Sequence, residues 1–551
     1  MKYNILLPNA IWQNYDPTAI PLETELMDKV SDDEIEISTY AFVALSAQSG
    51  KLVVVAKKYS LQAQYNPNAP VVLITPEYHR MPSRDLINGL VLDGFIVIVP
   101  DMAGNDEPQT QYPAEYEYGK YERAGDHIRT VMPTAKETCQ YLYSVIMRRS
   151  LVFLNDILPT PQVLLIGLGD AVEVAMQTAG SGAEIMALAC INGSGYREYI
   201  KLNKYGECKE LEMTDETVCW LSGVASAAYA KLITVPTFIA IGTNGERSDI
   251  DRINNLVALL PTESTYVSFS PKASDYIFPK AFSTLKTWFK MILAGDKFPS
   301  IPSISVNVND DGKIYANIAS DENTKALSAN IYYSYGEYNH AIRDWQKKDG
   351  IKISSNEFIS TIEVTNELAP LFVFAEVEYI GGITLTSLEK YIELAGQPVK
   401  PITQISSRII YSTQSGDAAF VENCNEEVLL RHRINMISTI SGARGIACTD
   451  DGVRNYHWGT STDIEDCLLQ IEIFTEESCN VRGTLICKDG DGVKKYNAEI
   501  YLQDSKGFFI SLQLRKTDFK DNNYMPLTMW SNVRALEIVG GNTIIGNILF
   551  I

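Results

Sequence analysis

The sequence is poor in basic residues. Its 551 residues include 47 Lys and Arg against 68 Asp and Glu, which gives a formal net charge of −21 at pH 7. This charge repels nucleic acids and anionic membrane surfaces, so neither is expected as a partner. It is compatible with a neutral glycan ligand. The share of charged residues, 21%, is ordinary for a globular protein.

Long apolar runs are also missing. No stretch is long enough to cross a bilayer, so no membrane partner is predicted. The first 17 residues contain one Lys and a short apolar run that ends at Pro8. A secretory signal needs a longer apolar core. The expected compartment is therefore the cytoplasm.

Cysteine and histidine show no metal-binding pattern. The nine Cys lack CxxC or metal-type spacing, which is typical of reduced and buried thiols. Only five His occur in the chain. We therefore expect neither a metal nor a cofactor.

The order of strand-like and helix-like segments predicts an α/β domain over residues 1–295. Short apolar strands alternate with helices after an initial hairpin, which favours a mainly parallel sheet covered on both faces. Residues up to about 32 are predicted to be irregular. The predicted strands are residues 34–45, 51–58, 71–74, 95–99, 163–166, 186–191, 237–241 and 265–269, and the predicted helices are residues 86–92, 135–154 and 282–293.

Two all-β domains are predicted after the α/β domain. Residues 294–302 and 396–401 have the Gly- and Pro-containing composition of linkers. Residues 302–396 are predicted to form an Ig-like β-sandwich. Residues 402–551 carry many strand-like segments separated by Gly, Asn and Asp turns, which predicts a jelly roll.

Residues 161–180 carry the most specific pattern of the chain. A short apolar strand is followed by Gly167-Leu168-Gly169-Asp170-Ala171 and then by helix-compatible residues. A strand, a sharp turn and a helix in this order are typical of the nucleophile elbow, where small residues must flank the nucleophile. Gly167 and Ala171 meet that requirement, so the nucleophile position is Gly169.

This turn and three further stretches make residues 30–295 resemble the acetyl xylan esterase and cephalosporin-C deacetylase branch of the α/β-hydrolases. The further stretches are residues 94–104, which end in an Asp-x-x-Gly turn, the helix around residues 147–150, and residues 236–243. The resemblance implies a Ser nucleophile that is activated by His and oriented by Asp, with two backbone N–H groups at the oxyanion.

Two of the three catalytic residues that the resemblance implies are absent. Gly169 stands at the Ser position, and residues 270–278, where the His is expected, contain no His. Asp249 or Asp251 would be the vestigial acid, although a helix N-cap or a surface acid is the commoner role of such an Asp. The sequence therefore predicts a degenerate active site.

Three other polar residues near the elbow have two interpretations each. Asp170 could replace the missing nucleophile, but this puts Leu168 and Val172 where small residues are required. An Asp that stabilises the helix N-terminus is therefore favoured. Tyr78 and His79 follow the predicted strand 71–74 and are candidates for the oxyanion-type loop, or ordinary loop residues.

The C-terminal residues resemble β-jelly-roll carbohydrate-binding modules. Residues 512–520, 530–538 and 545–551 are similar to the penultimate strand, a loop and the last two strands of such modules. These modules bind sugars on the faces of Tyr or Trp rings. In this chain Trp530 is predicted to lie in the core instead. The candidate carbohydrate-binding residues are Tyr456, His457, Trp458 and Tyr524. A purely structural module is the alternative.

Aromatic residues also alternate between residues 332 and 345. These residues are Tyr332, Tyr333, Tyr335, Tyr338 and Trp345. Core packing and cross-strand pairs are favoured for them over a ligand platform.

The favoured function is non-catalytic. The chain is predicted to be an inactive α/β-hydrolase-like protein that binds a carbohydrate, or an interaction scaffold for a protein partner or a second copy. One alternative is a carboxylic-ester hydrolase of the acetyl esterase type with a non-standard catalytic set. The other is a self-assembling structural protein.

Overall fold

The computed structural model describes residues 3–63, 65–193, 195–200, 202–206, 210–403, 407–415, 420–422, 434, 436–438, 442, 444–448, 450–458, 463–490 and 492–551. Among the helices of these ranges, none is long and apolar enough to cross a membrane.

A mixed sheet forms the centre of the first part of the chain. Its strands, within the described residues, are β1 (Glu25–Asp32), β2 (Ile35–Ala47), β3 (Gly50–Leu61), β4 (Val71–Thr75), β5 (Ile96–Pro100), β6 (Val163–Leu168), β7 (Ala187–Ile191), β8 (Thr237–Gly242) and β9 (Thr265–Ser270). Their spatial order is β1-β2-β3-β5-β4-β6-β7-β8-β9. Pairing is antiparallel from β1 to β5 and parallel from β5 to β9. This is consistent with the predicted α/β-hydrolase-like core.

Helices cover both faces of this sheet. They are α1 (Pro8–Ile11), α2 (Arg84–Val91), α3 (Cys139–Ile157), α4 (Val172–Gly180), α5 (Asp215–Gly223), α6 (Ser226–Ala230), α7 (Ile250–Val257) and α8 (Pro279–Ala294). One hydrophobic core packs α2 and α8 on the sheet, and the other packs α3, α4 and α7. The strands β4 to β9 are buried along their whole length, which explains their uninterrupted apolar sequences.

Strand β1 differs from the sequence-based prediction of irregular structure. It pairs with β2 at the edge of the sheet, and every one of its residues is exposed. A strand exposed on both faces needs no alternation of apolar and polar residues, so its sequence gives no period-two signal.

The middle β strands form two antiparallel sheets. Their strands are β10 (Ser303–Val308), β11 (Ile314–Ala319), β12 (Ala326–Tyr335), β13 (Gln346–Asp349), β14 (Ile351–Lys352), β15 (Glu357–Ile362), β16 (Pro370–Tyr379), β17 (Ile383–Thr386) and β18 (Lys390–Glu393). One sheet has the order β10-β11-β15-β14, and the other has β13-β12-β16-β17 with β18 on β16. Their core is continuous with that under α8. The predicted domain boundary at residues 294–302 remains a prediction.

The C-terminal strands form two further sheets. These strands are β19 (Ile409–Tyr411), β20 (Phe420–Glu422), β21 (Met436–Ser438), β22 (Arg444–Ala447), β23 (Val453–Asn455), β24 (Leu469–Thr475), β25 (Cys479–Asp489), β26 (Gly492–Leu502), β27 (Ile510–Leu514), β28 (Val533–Val539) and β29 (Thr543–Phe550). The sheets run β21-β22-β29-β24-β27, with β19 on β29, and β20-β23-β28-β25-β26. Trp530 is fully buried in the core between them, as the sequence suggests.

Candidate functional site

The turn between β6 and α4 has the backbone geometry of a nucleophile elbow. Gly169 has φ +50°, in the left-handed region where a catalytic nucleophile is strained, whereas Asp170 does not have positive φ. A Cβ at Gly167 would lie 2.6 Å from the Cβ of Ala175. Strand and helix are therefore too close for a side chain at Gly167, and Gly169 is the residue of this turn with positive φ.

The space of a nucleophile side chain is occupied by Glu77. A Cβ at Gly169 would lie 2.0 Å from Glu77 Oε1. Glu77 belongs to the loop after β4, and it is only 3% exposed. The sequence points to Tyr78 and His79 in this loop, and the adjacent Glu77 carries no motif that would have distinguished it.

Two arginines hold the Glu77 carboxylate against the elbow. Arg80 Nε donates to Glu77 Oε2, and Arg247 Nη1 donates to Oε1 at 3.1 Å. Arg247 Nε also lies 3.8 Å from Asp170 Oδ1. Asp170 is thus part of an ion-pair network at this turn.

Asp275 lies in the loop where the resemblance places the catalytic His. Its Oδ1 accepts from the backbone N–H of Arg247 at 3.1 Å. Loss of hydration raises the pKa of Asp275 to about 6, and the charge of Arg247 opposes this rise. The loops after β8 and β9 therefore bring an Arg and an Asp to the elbow.

The histidines that precede the elbow lie in different surroundings. Burial lowers the pKa of His79, and the charge of Glu77 opposes this decrease. The His79 ring centroid lies 6.0 Å from that of Tyr121. His127 stacks on Tyr118 with centroids 4.2 Å apart. The Tyr78 side chain, in the loop after β4, is buried, so its hydroxyl does not face open solvent.

The candidate acids Asp249 and Asp251 face the middle β strands. Asp249 caps α7 by accepting from Arg252 N at 3.3 Å, which is the N-cap role that the sequence favours. Asp251 accepts from Arg343 Nη1 at 2.5 Å and from Nη2 at 2.9 Å. Both acids are buried, so the surface role is not observed. They join the α/β part to the middle strands.

Arg343 lies at the centre of this junction. Its Nη1 also reaches Glu389 Oε1 at 3.0 Å, and its guanidinium carbon lies 3.4 Å from the ring centroid of Phe372. Burial alone would raise the pKa of Asp251, but Arg343 holds this pKa below its ordinary value. Burial and the Asp251 charge raise the pKa of Glu389 well above its ordinary value.

A cluster of possible metal ligands occurs at the same junction. One ligand atom each of Asp249, Asp251 and His340 lies within 4.8 Å of the others. Both Asp251 oxygens are occupied by the Arg343 guanidinium, whose positive charge opposes a cation here. These residues therefore do not fit a metal ion, and the cluster is better described as an ion-pair junction.

A concave site lies between the middle and the C-terminal β strands. Its volume is about 520 Å³. It is lined by Ser334, Tyr335, Gly336, Glu337, Ile342, Asp344, Gln346, Tyr456, His457, Trp458, Ile464, Glu465, Ser531, Val533 and Arg534. We call it the interdomain cleft.

The interdomain cleft brings together three of the four predicted carbohydrate-binding residues, but only one is well exposed. The His457 side chain is 44% exposed, and its Nδ1 lies 3.0 Å from Asp344 Oδ2. Tyr456 and Trp458 are 2% and 8% exposed, and Trp458 packs against Trp530. Their faces are therefore packed in the protein and do not form an open stacking platform.

The fourth candidate, Tyr524, lies elsewhere. It is 82% exposed in a tight turn and is not among the residues that line the interdomain cleft. Among the middle aromatics, Tyr332, Tyr333 and Trp345 are buried in the core, as favoured by the sequence, whereas Tyr335 lines the cleft.

Comparison with known proteins identifies esterases among similar structures. No family model and no curated protein matches the sequence. An acetyl xylan esterase from Paenibacillus sp. R4 is 13% identical, with a TM-score of 0.39 over 53% of this chain and 96% of its own. Acetyl xylan esterase 1 from Thermoanaerobacterium sp. JW/SL YS485 is 10% identical, with a TM-score of 0.35 over 50% and 89%. A cold-adapted esterase from an Arctic intertidal metagenomic library is 12% identical, with a TM-score of 0.33 over 48% and 98%.

Proposed function

We propose that this chain is a non-catalytic α/β-hydrolase-like protein that binds a neutral carbohydrate in the interdomain cleft. The observation that carries the first half is the Glu77 carboxylate, which lies where a nucleophile side chain would begin. Gly169 offers no reactive oxygen, and a serine there would collide with Glu77. Ester hydrolysis by a covalent intermediate therefore has no nucleophile at the elbow.

The groups around Gly169 are already engaged by one another. Glu77 Oε2 accepts from Arg80 Nε, and Glu77 Oε1 accepts from Arg247 Nη1 at 3.1 Å. Asp275, in the loop where the resemblance places the His, accepts from the backbone N–H of Arg247 at 3.1 Å, and residue 169 offers no hydroxyl from which it could take a proton.

A fluorophosphonate probe and a chromogenic acetyl ester test the non-catalytic assignment. The purified full chain is expected neither to be labelled at residues 167–171 nor to release the chromophore above the rate of buffer, with an active acetyl esterase as the positive control. Labelling at the elbow, or turnover that scales with protein concentration, would show that the assignment is wrong.

The interdomain cleft has the size and polarity of a sugar site. Its volume of about 520 Å³ falls in the usual range for small-molecule pockets, roughly 300–1,000 Å³. Carboxylate, amide and imidazole groups line it beside the Tyr335 ring, and such groups form hydrogen bonds with hydroxyls.

The charges in the cleft are largely balanced, which favours a neutral ligand. Glu337 lies 3.4 Å from Lys488 Nζ and 3.3 Å from Arg534 Nε. Asp344 lies 2.9 Å from Lys272 Nζ and 3.0 Å from His457. Burial would raise the pKa of Asp344, but the charge of Lys272 and the hydrogen bond with His457 hold it well below its ordinary value.

Glycan-array binding of the full chain tests the site. Tyr335→Ala and Gln346→Ala, which alter the wall of the cleft, are expected to reduce binding of the strongest glycan at least about tenfold, the loss of one or two good contacts. Tyr524→Ala is the matched control, because it removes an exposed aromatic ring outside the cleft and should leave binding unchanged.

The reverse pattern would place the site on the exposed turn and refute the cleft assignment. A blank array with a folded full chain would refute carbohydrate binding altogether. A circular-dichroism melting curve of each variant establishes that the chain is folded.

A further inference from the structure

Three polar side chains converge at the carboxyl end of the parallel strands, beside the elbow. Tyr78 comes from the loop after β4, Glu173 from the first turn of α4 after β6, and Arg197 from the single helical turn after β7. Strands β4, β6 and β7 are neighbours in the sheet. In open α/β sheets ligands bind in the crevice outside these strand ends.

Each of these side chains has a buried polar atom without a hydrogen-bond partner among the described residues. Glu173 and Tyr78 are each 1% exposed. Neither Glu173 oxygen, nor the Tyr78 hydroxyl, nor Arg197 Nη1 has a partner among the described residues. An unpaired buried polar group destabilises the folded state, and it does so more strongly when it is charged. Three such groups in one place indicate a site built to be completed by a ligand.

Arg197 and Glu173 influence each other but do not pair. Arg197 lies over the Tyr78 ring at 5.6 Å, and Glu173 is the charge that most raises the pKa of Arg197. Burial raises the pKa of Glu173 well above its ordinary value, and the Arg197 charge opposes this rise. Neither Glu173 oxygen has a hydrogen-bond partner among the described residues, so no hydrogen bond joins Glu173 to Arg197.

We propose that Tyr78, Glu173 and Arg197 bind a small zwitterionic α-amino acid. Its ammonium group donates hydrogen bonds to the Glu173 carboxylate, and its carboxylate accepts from Arg197 and from the Tyr78 hydroxyl. The binding is non-covalent.

A zwitterion complements this site better than the other small polar molecules do. A sugar diol satisfies the hydrogen bonds but neither charge, a simple carboxylate leaves Glu173 unpaired, and a simple ammonium ion leaves Arg197 unpaired. Charge complementarity is the feature that distinguishes these ligands. The site is separate from the interdomain cleft, because none of its three residues lines that cleft.

Isothermal titration calorimetry of the full chain at pH 7 tests the proposal with four small polar probes. L-Alanine is expected to bind saturably, whereas acetate, ethylammonium and xylose bind at least about tenfold more weakly, since each lacks at least one charge-assisted hydrogen bond. Equal binding of acetate or ethylammonium, preference for xylose, or no binding of L-alanine would overturn it.

Substitutions assign the roles within the site. Glu173→Gln keeps the shape but loses the charge, so it should weaken L-alanine binding at least about tenfold and leave acetate binding unchanged. Arg197→Met should weaken both. The matched controls Glu184→Gln and Arg129→Met change exposed residues and should bind like the parent.

A crystal structure of the full chain soaked with L-alanine gives the decisive geometry. Density for the amino acid between Glu173 and Arg197 supports the proposal, and ordered water alone at that position overturns it. Neither Glu173 nor Tyr78 has a side-chain hydrogen bond to lose, so Glu173→Gln and Tyr78→Phe are expected to fold. Failure of the glycan array leaves this result unaffected, because the two sites share no residue.

Discussion

Replacing Arg343 by Met tests the ion-pair junction between the α/β part and the middle β strands. The Arg343 side chain is fully buried. It makes two bonds to Asp251 and one to Glu389, and it donates to the backbone carbonyls of Glu337 at 3.1 Å and Tyr338 at 2.7 Å. Met fills a similar length but offers no donor, so all five contacts are lost.

The expected loss of stability is large because two acids remain behind. Removing one partner of a buried ion pair costs about 3–5 kcal/mol, since the other charge is left uncompensated. Here Asp251 and Glu389 are both about 1% exposed, and two backbone carbonyls also lose a donor. We expect Arg343→Met to lower the free energy of unfolding by about 4 kcal/mol, and Arg343→Lys, which keeps the charge without the fork of donors, to lower it less.

The dependence on pH has a defined sign. In the parent the lowered pKa of Asp251 stabilises the folded state at pH values above the ordinary pKa of an Asp. This stabilisation is lost as the pH falls from that value through the lowered pKa. In Arg343→Met burial alone acts on Asp251 and Glu389, so their pKa values rise and the variant loses stability as the pH rises. The difference between parent and variant should therefore widen from pH 3 to pH 7.

Urea unfolding of the full chain, followed by tryptophan fluorescence, measures these differences. Arg482→Met, at an exposed position of β25, is the matched control and should change the free energy of unfolding by less than about 0.5 kcal/mol. An Arg343→Met chain within about 1 kcal/mol of the parent at pH 7, or a difference that narrows with rising pH, would refute the reasoning.

Two further predictions concern the elbow. Gly169→Ser should lower the melting temperature, because the positive φ costs a non-Gly residue about 1–3 kcal/mol and its Cβ would meet Glu77 Oε1 at 2.0 Å. Adding Glu77→Ala to Gly169→Ser should recover part of that loss of stability without creating acetyl-esterase activity. A Gly169→Ser chain that is as stable as the parent would contradict the assignment of the turn. Asp275→Asn should become more stable relative to the parent as the pH rises from about 4 to 6, because the folded-state pKa of about 6 makes ionisation of Asp275 costly in that window. Unfolding titrations at pH 4, 5, 6 and 7 measure this, and a constant difference would show that the raised pKa is wrong.

Local sequence rules predict much of the α/β architecture. The strands β4 to β9 are recognisable as short apolar runs because both faces of a parallel sheet are covered. The elbow is recognisable because the close approach of β6 and α4 admits only small residues at Gly167, which is a constraint within a few residues. Strand β1 is not recognisable, since it is exposed on both faces and its pairing with β2 alone defines it.

The candidate sites are less predictable from the sequence than the α/β architecture. The sequence shows that residue 169 is Gly and that residues 270–278 contain no His, because an absence can be read at each position separately. It does not identify Glu77 as the group at the elbow, since Arg247 reaches Glu77 across 170 residues of chain. For the same reason the sequence indicates Asp251 as a candidate acid but does not identify its partner Arg343, which lies 92 residues further along the chain.

The amino-acid sequence by itself determined the strand and helix periods, the steric requirement at the elbow and the lack of a reactive oxygen at residue 169. These features depend on neighbours along the chain. Only the tertiary structure decided which charged groups meet. The carboxyl ends of β4, β6, β8 and β9 share one edge of the sheet, so Glu77, Asp170, Arg247 and Asp275 come together there. The sequence indicates Tyr456 and Trp458 as candidate sugar-binding residues near turns, but packing buries them and leaves His457 facing the cleft. Whether a side chain is covered depends on elements that are distant in sequence, and no local pattern records that.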